Sequence, residues 1–251
     1  MLRISGICKS FGDKVVLHDI DATFYPGKVN MVIGASGSGK SVLMKTMVGL
    51  VAPDKGSLHY DGISLMEMEQ DRRSELRQSI GMLFQGAALF DSLSVEDNLL
   101  FPLRMFRSAP RKSLLERVHY CLDKVGLAGT GSLFPAELSG GMRKRVGIAR
   151  AIVLGPKYLF CDEPNSGLDP KTSIRIDHLI QDLTREFGIT TVVNTHDMNS
   201  VLECGDYIVF LHQGHKAWEG DRQQIVHSDH QALNELVYAT RFLQQFKQQK
   251  P

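Results

Sequence analysis

The 251-residue chain carries 29 Lys and Arg against 28 Asp and Glu, a formal net charge of +1, and so lacks the cationic surplus that non-specific nucleic-acid binding requires. A hydrophobic share of 43% beside 23% charged residues excludes intrinsic disorder and is enough to bury a sizeable core. No apolar run approaches the ~18 residues of a membrane span, the N-terminus turns charged too early for a signal peptide, and Cys8, Cys121, Cys161 and Cys204, without CxxC spacing, read as reduced small hydrophobes of a cytosolic protein.

Residues 2–33 carry β patterning. Ile20, Ala22 and Phe24 alternate with Asp19, Asp21 and Thr23, the period of a half-buried antiparallel strand. Pro26-Gly27 turns the chain into Val29–Ile33, an apolar run suited to a strand buried on both faces. Residues 41–50 then show helical spacing at Val42, Leu43, Thr46, Met47 and Leu50. Turn signals at Pro53-Asp54-Lys55-Gly56 and Asp61-Gly62 bracket a short strand over 57–60, followed by a short helix over 71–78 and a strand over 80–84. From Gln85 to Leu154 strand signals vanish and helices are predicted near 95–106, 112–125 and 140–154, which suggests a helical segment inserted into an α/β core. Strand and helix then alternate: strand 158–161, helix 170–187, strand 189–194, a helix near Asn199, strand 207–211, a hairpin turn at Gln213-Gly214-His215, and a mostly helical, Gln-rich tail over 223–251.

The 23 glycines cluster where chemistry is expected. Gly34-Ala35-Ser36-Gly37-Ser38-Gly39-Lys40-Ser41 fits G-x-x-x-x-G-K-[ST] between a buried strand and a helix. Such a loop aims successive N–H groups at phosphate oxygens, and the helix N-terminus adds partial positive charge. Lys40 is then placed for β- and γ-phosphates and the Ser41 hydroxyl for Mg²⁺. Tyr158-Leu159-Phe160-Cys161-Asp162-Glu163 is a buried strand ending in two acids. Strand alternation would turn Asp162 to the metal and Glu163 to the attacking water as general base. Leu138-Ser139-Gly140-Gly141-Met142 opens another helix, where Ser139 reads equally as an N-cap or as part of a second anion cradle.

These motifs, followed in order by Ser166-Gly167-Leu168-Asp169 and Thr195-His196-Asp197, resemble those of ABC-transporter ATPase subunits from Phe11 to about Gly220. The resemblance implies an α/β fold: a RecA-like P-loop NTPase core with an antiparallel β subdomain and an α-helical subdomain inserted at about 86–155. The ATPase domain would cover 1–222 and a C-terminal extension 223–251. It implies ATP and Mg²⁺ as ligands. Gly34, Ala35, Ser36, Gly37, Ser38, Gly39, Lys40, Ser41 and Val42 would bind nucleotide, with Phe11 stacked on adenine. Ser41, Gln85 and Asp162 would hold the metal, and Gln85 would also sense the water. Glu163 would be the base, and His196 would contact the γ-phosphate and orient Glu163. Ser139, Gly140 and Gly141 would close over the ATP of a second copy of the chain, with Asp169 at that interface. Met142 and Gly167 depart from the Gln and Ala common in the family; neither removes a phosphate donor, ligand or base.

The stretch Phe84-Gln85-Gly86-Ala87-Ala88-Leu89-Phe90-Asp91-Ser92-Leu93, with Asn98 and Phe101-Pro102-Leu103 beyond it, is similar to the ATPases of Mla/MCE phospholipid-transport systems. That likeness implies separate integral membrane permease subunits docked on an apolar knob of Leu89, Phe90 and Leu93, an MCE-domain lipid-binding partner, no nucleic acid, and a peripheral position on the cytoplasmic face of the inner membrane. Other cargo, by lipoprotein release or small-solute import, and an ABC ATPase without a permease are the alternatives. In the tail, Leu233, Leu236, Val237, Phe242 and Leu243 read either as an apolar face for an accessory protein or as a solvated helix.

Overall fold

The computed structural model describes residues 1–238. Strands β1 (Leu2–Phe11) and β2 (Lys14–Phe24) form an antiparallel hairpin, and β3 (Val29–Ile33) leads through a glycine-rich loop into α1 (Lys40–Met47). Strands β4 (Lys55–Tyr60) and β5 (Ile63–Ser64) join the hairpin in a sheet of order β2-β1-β4-β5. After α2 (Gln70–Gln78) and β6 (Ile80–Leu83) come the helices α3 (Val95–Phe106), α4 (Arg111–Lys124) and α5 (Gly140–Ile152), with a 3₁₀ turn at Pro135–Glu137 before the last. Then β7 (Tyr158–Asp162), α6 (Pro170–Phe187), β8 (Thr190–Thr195), α7 (Met198–Cys204), β9 (Tyr207–His212), β10 (His215–Gly220), α8 (Arg222–Ile225) and α9 (Gln231–Val237) complete the described chain.

The larger sheet has the order β10-β9-β3-β8-β7-β6 and is parallel except for β10 at its edge. Its central strands are buried along nearly their whole length because both faces are covered, as parallel sheets require. Val32, Tyr158, Phe160, Val192, Val209 and Leu211 pack with α1 and the antiparallel sheet. Their neighbours Met31, Ile33, Leu159, Cys161, Val193, Ile208 and Phe210 face α3 to α7 on the other side. The helices between β6 and β7 share this second core rather than building one of their own. Gly81 allows β6 to approach α5 closely: a Cβ there would stand 2.3 Å from the Ala151 carbonyl oxygen.

The tail behaves differently from either expectation placed on its apolar residues. Ile225, Leu233 and Val237 are buried in the main core, with Leu236 packed against it. Leu233 and Val237 therefore present no outward face to an accessory protein and are not part of a solvated helix. Phe242 and Leu243 lie outside the described residues.

Candidate active site

Strands β3, β8, β7 and β6 lie side by side and point the same way, so the segments leaving their carboxyl ends converge at one edge. In an open α/β sheet this edge is where ligands bind. From it emerge Gly34–Ser41 after β3, Asp162-Glu163 from β7, Thr195-His196 from β8 and Gln85 after β6.

The loop after β3 curls as the glycines permit. Gly37 and Gly39 have φ of +79° and +102°. A Cβ at Gly34 would stand 2.3 Å from the Leu211 carbonyl oxygen and 2.5 Å from Ser38 Oγ. Lys40 is buried, and its Nζ donates to the carbonyls of Gly34 (2.8 Å) and Ala35 (3.1 Å), which folds it back over the loop. Burial holds its pKa below the usual lysine value, opposed by the nearby charges of Glu163 and Asp162. Ser38 Oγ is buried and has no hydrogen-bond partner among the described residues. A concave loop of amide donors, a buried cation and an unpaired hydroxyl suit an anion, and a phosphate chain fits them.

Ser41 Oγ donates to Asp162 Oδ1 at 3.3 Å, and Asn194 Nδ2 donates to the same oxygen at 3.0 Å. Among the described residues no group of three or more His, Cys, Asp or Glu is arranged to hold a metal ion by itself. A hydroxyl and one carboxylate, completed by phosphate and water, suit Mg²⁺, which is bound by few protein oxygens. Glu163 corrects one expectation about mechanism: strand alternation does not set its direction. Strand β7 stops at Asp162, and Glu163 takes φ +50°, a left-handed turn, with its N–H donating to the Asn194 carbonyl at 3.0 Å. The turn carries its carboxylate to His196, whose Nδ1 lies 2.7 Å from Oε2 and 2.8 Å from Oε1. A carboxylate oxygen accepts, so the contact is a hydrogen bond when His196 carries its proton on Nδ1.

Gln85 follows β6, and its Nε2 donates to Ser166 Oγ at 3.2 Å. Its backbone carbonyl accepts from Lys144 Nζ, which also donates to the Glu163 carbonyl at 3.3 Å. Beyond Gln85, Ala87 and Ala88 both take positive φ (+61° and +48°). Arg150 holds them, donating 2.9 Å bonds to both carbonyls. Sequence reasoning missed Lys144, Arg150 and Asn194. Lys144 hides in the run Arg143-Lys144-Arg145, yet it falls on the i, i+4, i+8 stripe with Ile148 and Ile152. That spacing marks the buried face of the helix.

Ser139 caps α5, its Oγ accepting from the Met142 N–H at 3.2 Å. The cap leaves the amides at the helix start available to an anion. The structure does not bring this cradle to the P-loop of its own chain. Ser139, Gly140 and Gly141 line a cleft with Arg175 and Asp169, whereas Ala35, Ser36, Glu163 and His196 line a different one. Phe11 ends β1, half-exposed, with Lys9 Nζ 5.5 Å above its ring. It pairs with Lys14, and the same hairpin touches the P-loop: Leu17 and Val16 would contact a Cβ at Gly39. The apolar knob is only partly as expected. Leu89 packs against the core and Leu93 is half-buried, whereas Phe90 is exposed beside Phe101, ring centroids 4.9 Å apart.

A P-loop after β3, an acid pair at the end of β7 and, from β8 between them, a histidine bonded to the second acid define a nucleotide-hydrolysing cassette, and residues 17–166 match the ABC transporter family. The chain belongs to that family and is an ATPase. It is 37% identical over 240 residues to the probable ribonucleotide transport ATP-binding protein mkl of Mycobacterium tuberculosis, covering 96% of this chain and 67% of that one. It is 37% identical over 222 residues to the intermembrane phospholipid transport system ATP-binding protein MlaF of Escherichia coli, covering 88% of this chain and 80% of that one. The structure resembles the ATP-binding cassette MJ0796, solved as a dimer in a post-hydrolysis state bound to ADP and Pi, with a TM-score of 0.79 and 30% identity over 88% of this chain and 99% of that one.

Proposed function

We propose that the chain is the ATP-hydrolysing subunit of a phospholipid transporter, acting as a homodimer against separate permease subunits on the cytoplasmic face of the inner membrane. Two copies set head to tail would sandwich two ATP molecules. Each would lie between the P-loop of one chain and Ser139, Gly140 and Gly141 of the other. Phe11 stacks on adenine. The amides of residues 34–42 and Lys40 hold the phosphates and stabilise charge on the transferring group. Ser41, Asp162 and Gln85 would hold Mg²⁺, Gln85 after leaving Ser166, and the metal when bound would neutralise phosphate charge and orient the leaving group. Glu163, held by His196, accepts a proton from the attacking water, and His196 faces the γ-phosphate.

The observation that carries the chemistry is the 2.7 Å Glu163–His196 contact at the strand end next to Asp162. The cargo reading rests on the likeness to MlaF over 80% of that protein and on the aromatic patch at Phe90 and Phe101. A second reading, transport of a small solute, is favoured by the alignment to mkl over 96% of this chain; small-solute import, lipoprotein release and work without a permease are the alternatives. Purification of the tagged chain from detergent-solubilised membranes separates them. The proposal expects an integral permease, an MCE-domain protein and bound phospholipid to co-purify. A solute-binding protein with no lipid contradicts it.

A further inference from the structure

Lys144 is buried at 5% exposure on α5, and its ammonium lies among three segments of the site. Its two hydrogen-bond acceptors are the backbone carbonyls of Gln85 and Glu163. The circuit closes on itself: Gln85 Nε2 donates to Ser166 Oγ, and the Ser166 N–H donates to the Glu163 carbonyl at 3.1 Å. Lys144, Gln85, Ser166 and Glu163 thus form one hydrogen-bonded ring. A lysine is seldom buried without a carboxylate in direct contact. Here burial holds its pKa below the usual lysine value, opposed at longer range by the charges of Glu163 and Asp162.

The ring has a mechanical consequence. Glu163 sits in a left-handed turn that a side-chain-bearing residue adopts only under constraint. Lys144 and Ser166 both hold its carbonyl. On α5, Lys144 stands about one turn after the Gly140-Gly141 cradle. A rigid helix therefore joins the surface that meets the partner's nucleotide to the backbone of this chain's own base.

We infer that Lys144 is a positioning residue: it fixes the Glu163 turn and ties it to Gln85 and α5, so that the trans cradle and the base of one chain move together. The inference rests on the reading of Glu163 as base. Turnover of Lys144→Met, which keeps the stem and removes the donors, should fall about 10²-fold, as for a misplaced catalytic group, with KM for ATP within about threefold of the parent. Lys144→Gln keeps one donor group on a shorter stem and should lose about tenfold, again with little change in KM. Added to Glu163→Gln, Lys144→Met should change turnover by less than about twofold, because it acts through that residue.

Wild-type kcat in either folded Lys144 variant overturns the inference, as does a rise in KM that matches the fall in kcat. If Glu163→Gln is slow while Lys144→Met is not, the base reading stands and only the role of Lys144 falls. If Glu163→Gln turns over at the parental rate, both fall.

Discussion

Glu163 has the most demanding backbone of the site residues: φ +50° with a side chain attached and a carboxylate bonded to His196. Left-handed backbone of this kind costs of order 1–3 kcal/mol without glycine, and proteins retain it where function requires the geometry. Glu163→Gly should therefore raise the stability of the nucleotide-free protein by about 1 kcal/mol while abolishing ATP hydrolysis. Thermal unfolding and phosphate release measure the two effects, and a loss of both stability and activity would mean that the His196 contact outweighs the strain. Lys40, Ser41, Asp162 and Glu163 could be picked out because phosphate chemistry restricts both residue type and spacing, whereas His196 was marked only by the likeness to ABC-transporter ATPase subunits. Lys144 could not be picked out, because its meaning lies in two carbonyls from segments distant in sequence. The Glu163 turn was equally hidden: nothing in Asp162-Glu163 announces that the strand ends between them.

Among the elements, α3 and the loop before it show how a segment without regular structure is fixed. Asn98 is wholly buried, and its side chain accepts from the Phe90 N–H at 2.9 Å and donates to the carbonyls of Phe90, Leu93 and Ser94 at 3.0–3.1 Å. Ser94 caps the helix by accepting from the Asp97 N–H at 3.1 Å. The loop that displays Phe90 is thus pinned by one amide. Asn98→Leu should cost about 2–4 kcal/mol through the unsatisfied groups it leaves. It should also accelerate amide exchange at Phe90 and Leu93; unchanged exchange there would show that the loop is held by other contacts. Helix α3 and helix α6 follow their sequence patterns end to end, Val95–Phe106 and Pro170–Phe187, because an N-cap opens each. The tail misled because Leu233 and Val237 carry the same apolar spacing whether they pack on their own core or on a partner.

At the scale of the whole molecule, the glycine-rich loop after β3 and the glycines that open α5 face different clefts. The larger sheet gathers the P-loop, Asp162, Glu163, Gln85 and His196 at the carboxyl ends of adjacent strands. Ser139, Gly140 and Gly141 open on a separate cleft. Strand and helix alternation made the α/β core legible. The sharing of one core by the inserted helices and the sheet was not, since it depends on which faces meet. On the proposed function the two clefts are half-sites and ATP would be the glue of a dimer; Gly140 offers a clean way to test this. A Cβ there meets only Leu168 at 3.5 Å, an ordinary contact. Aspartate is also favourable in the first turn of a helix, so Gly140→Asp should fold while placing negative charge against the partner's phosphate. The decisive measurement is sedimentation of Glu163→Gln, alone and combined with Gly140→Asp, with and without Mg-ATP. If ATP closes the dimer, Glu163→Gln becomes a dimer only with ATP, and the double variant binds ATP yet stays monomeric. A double variant that dimerises as readily as the single one would contradict it.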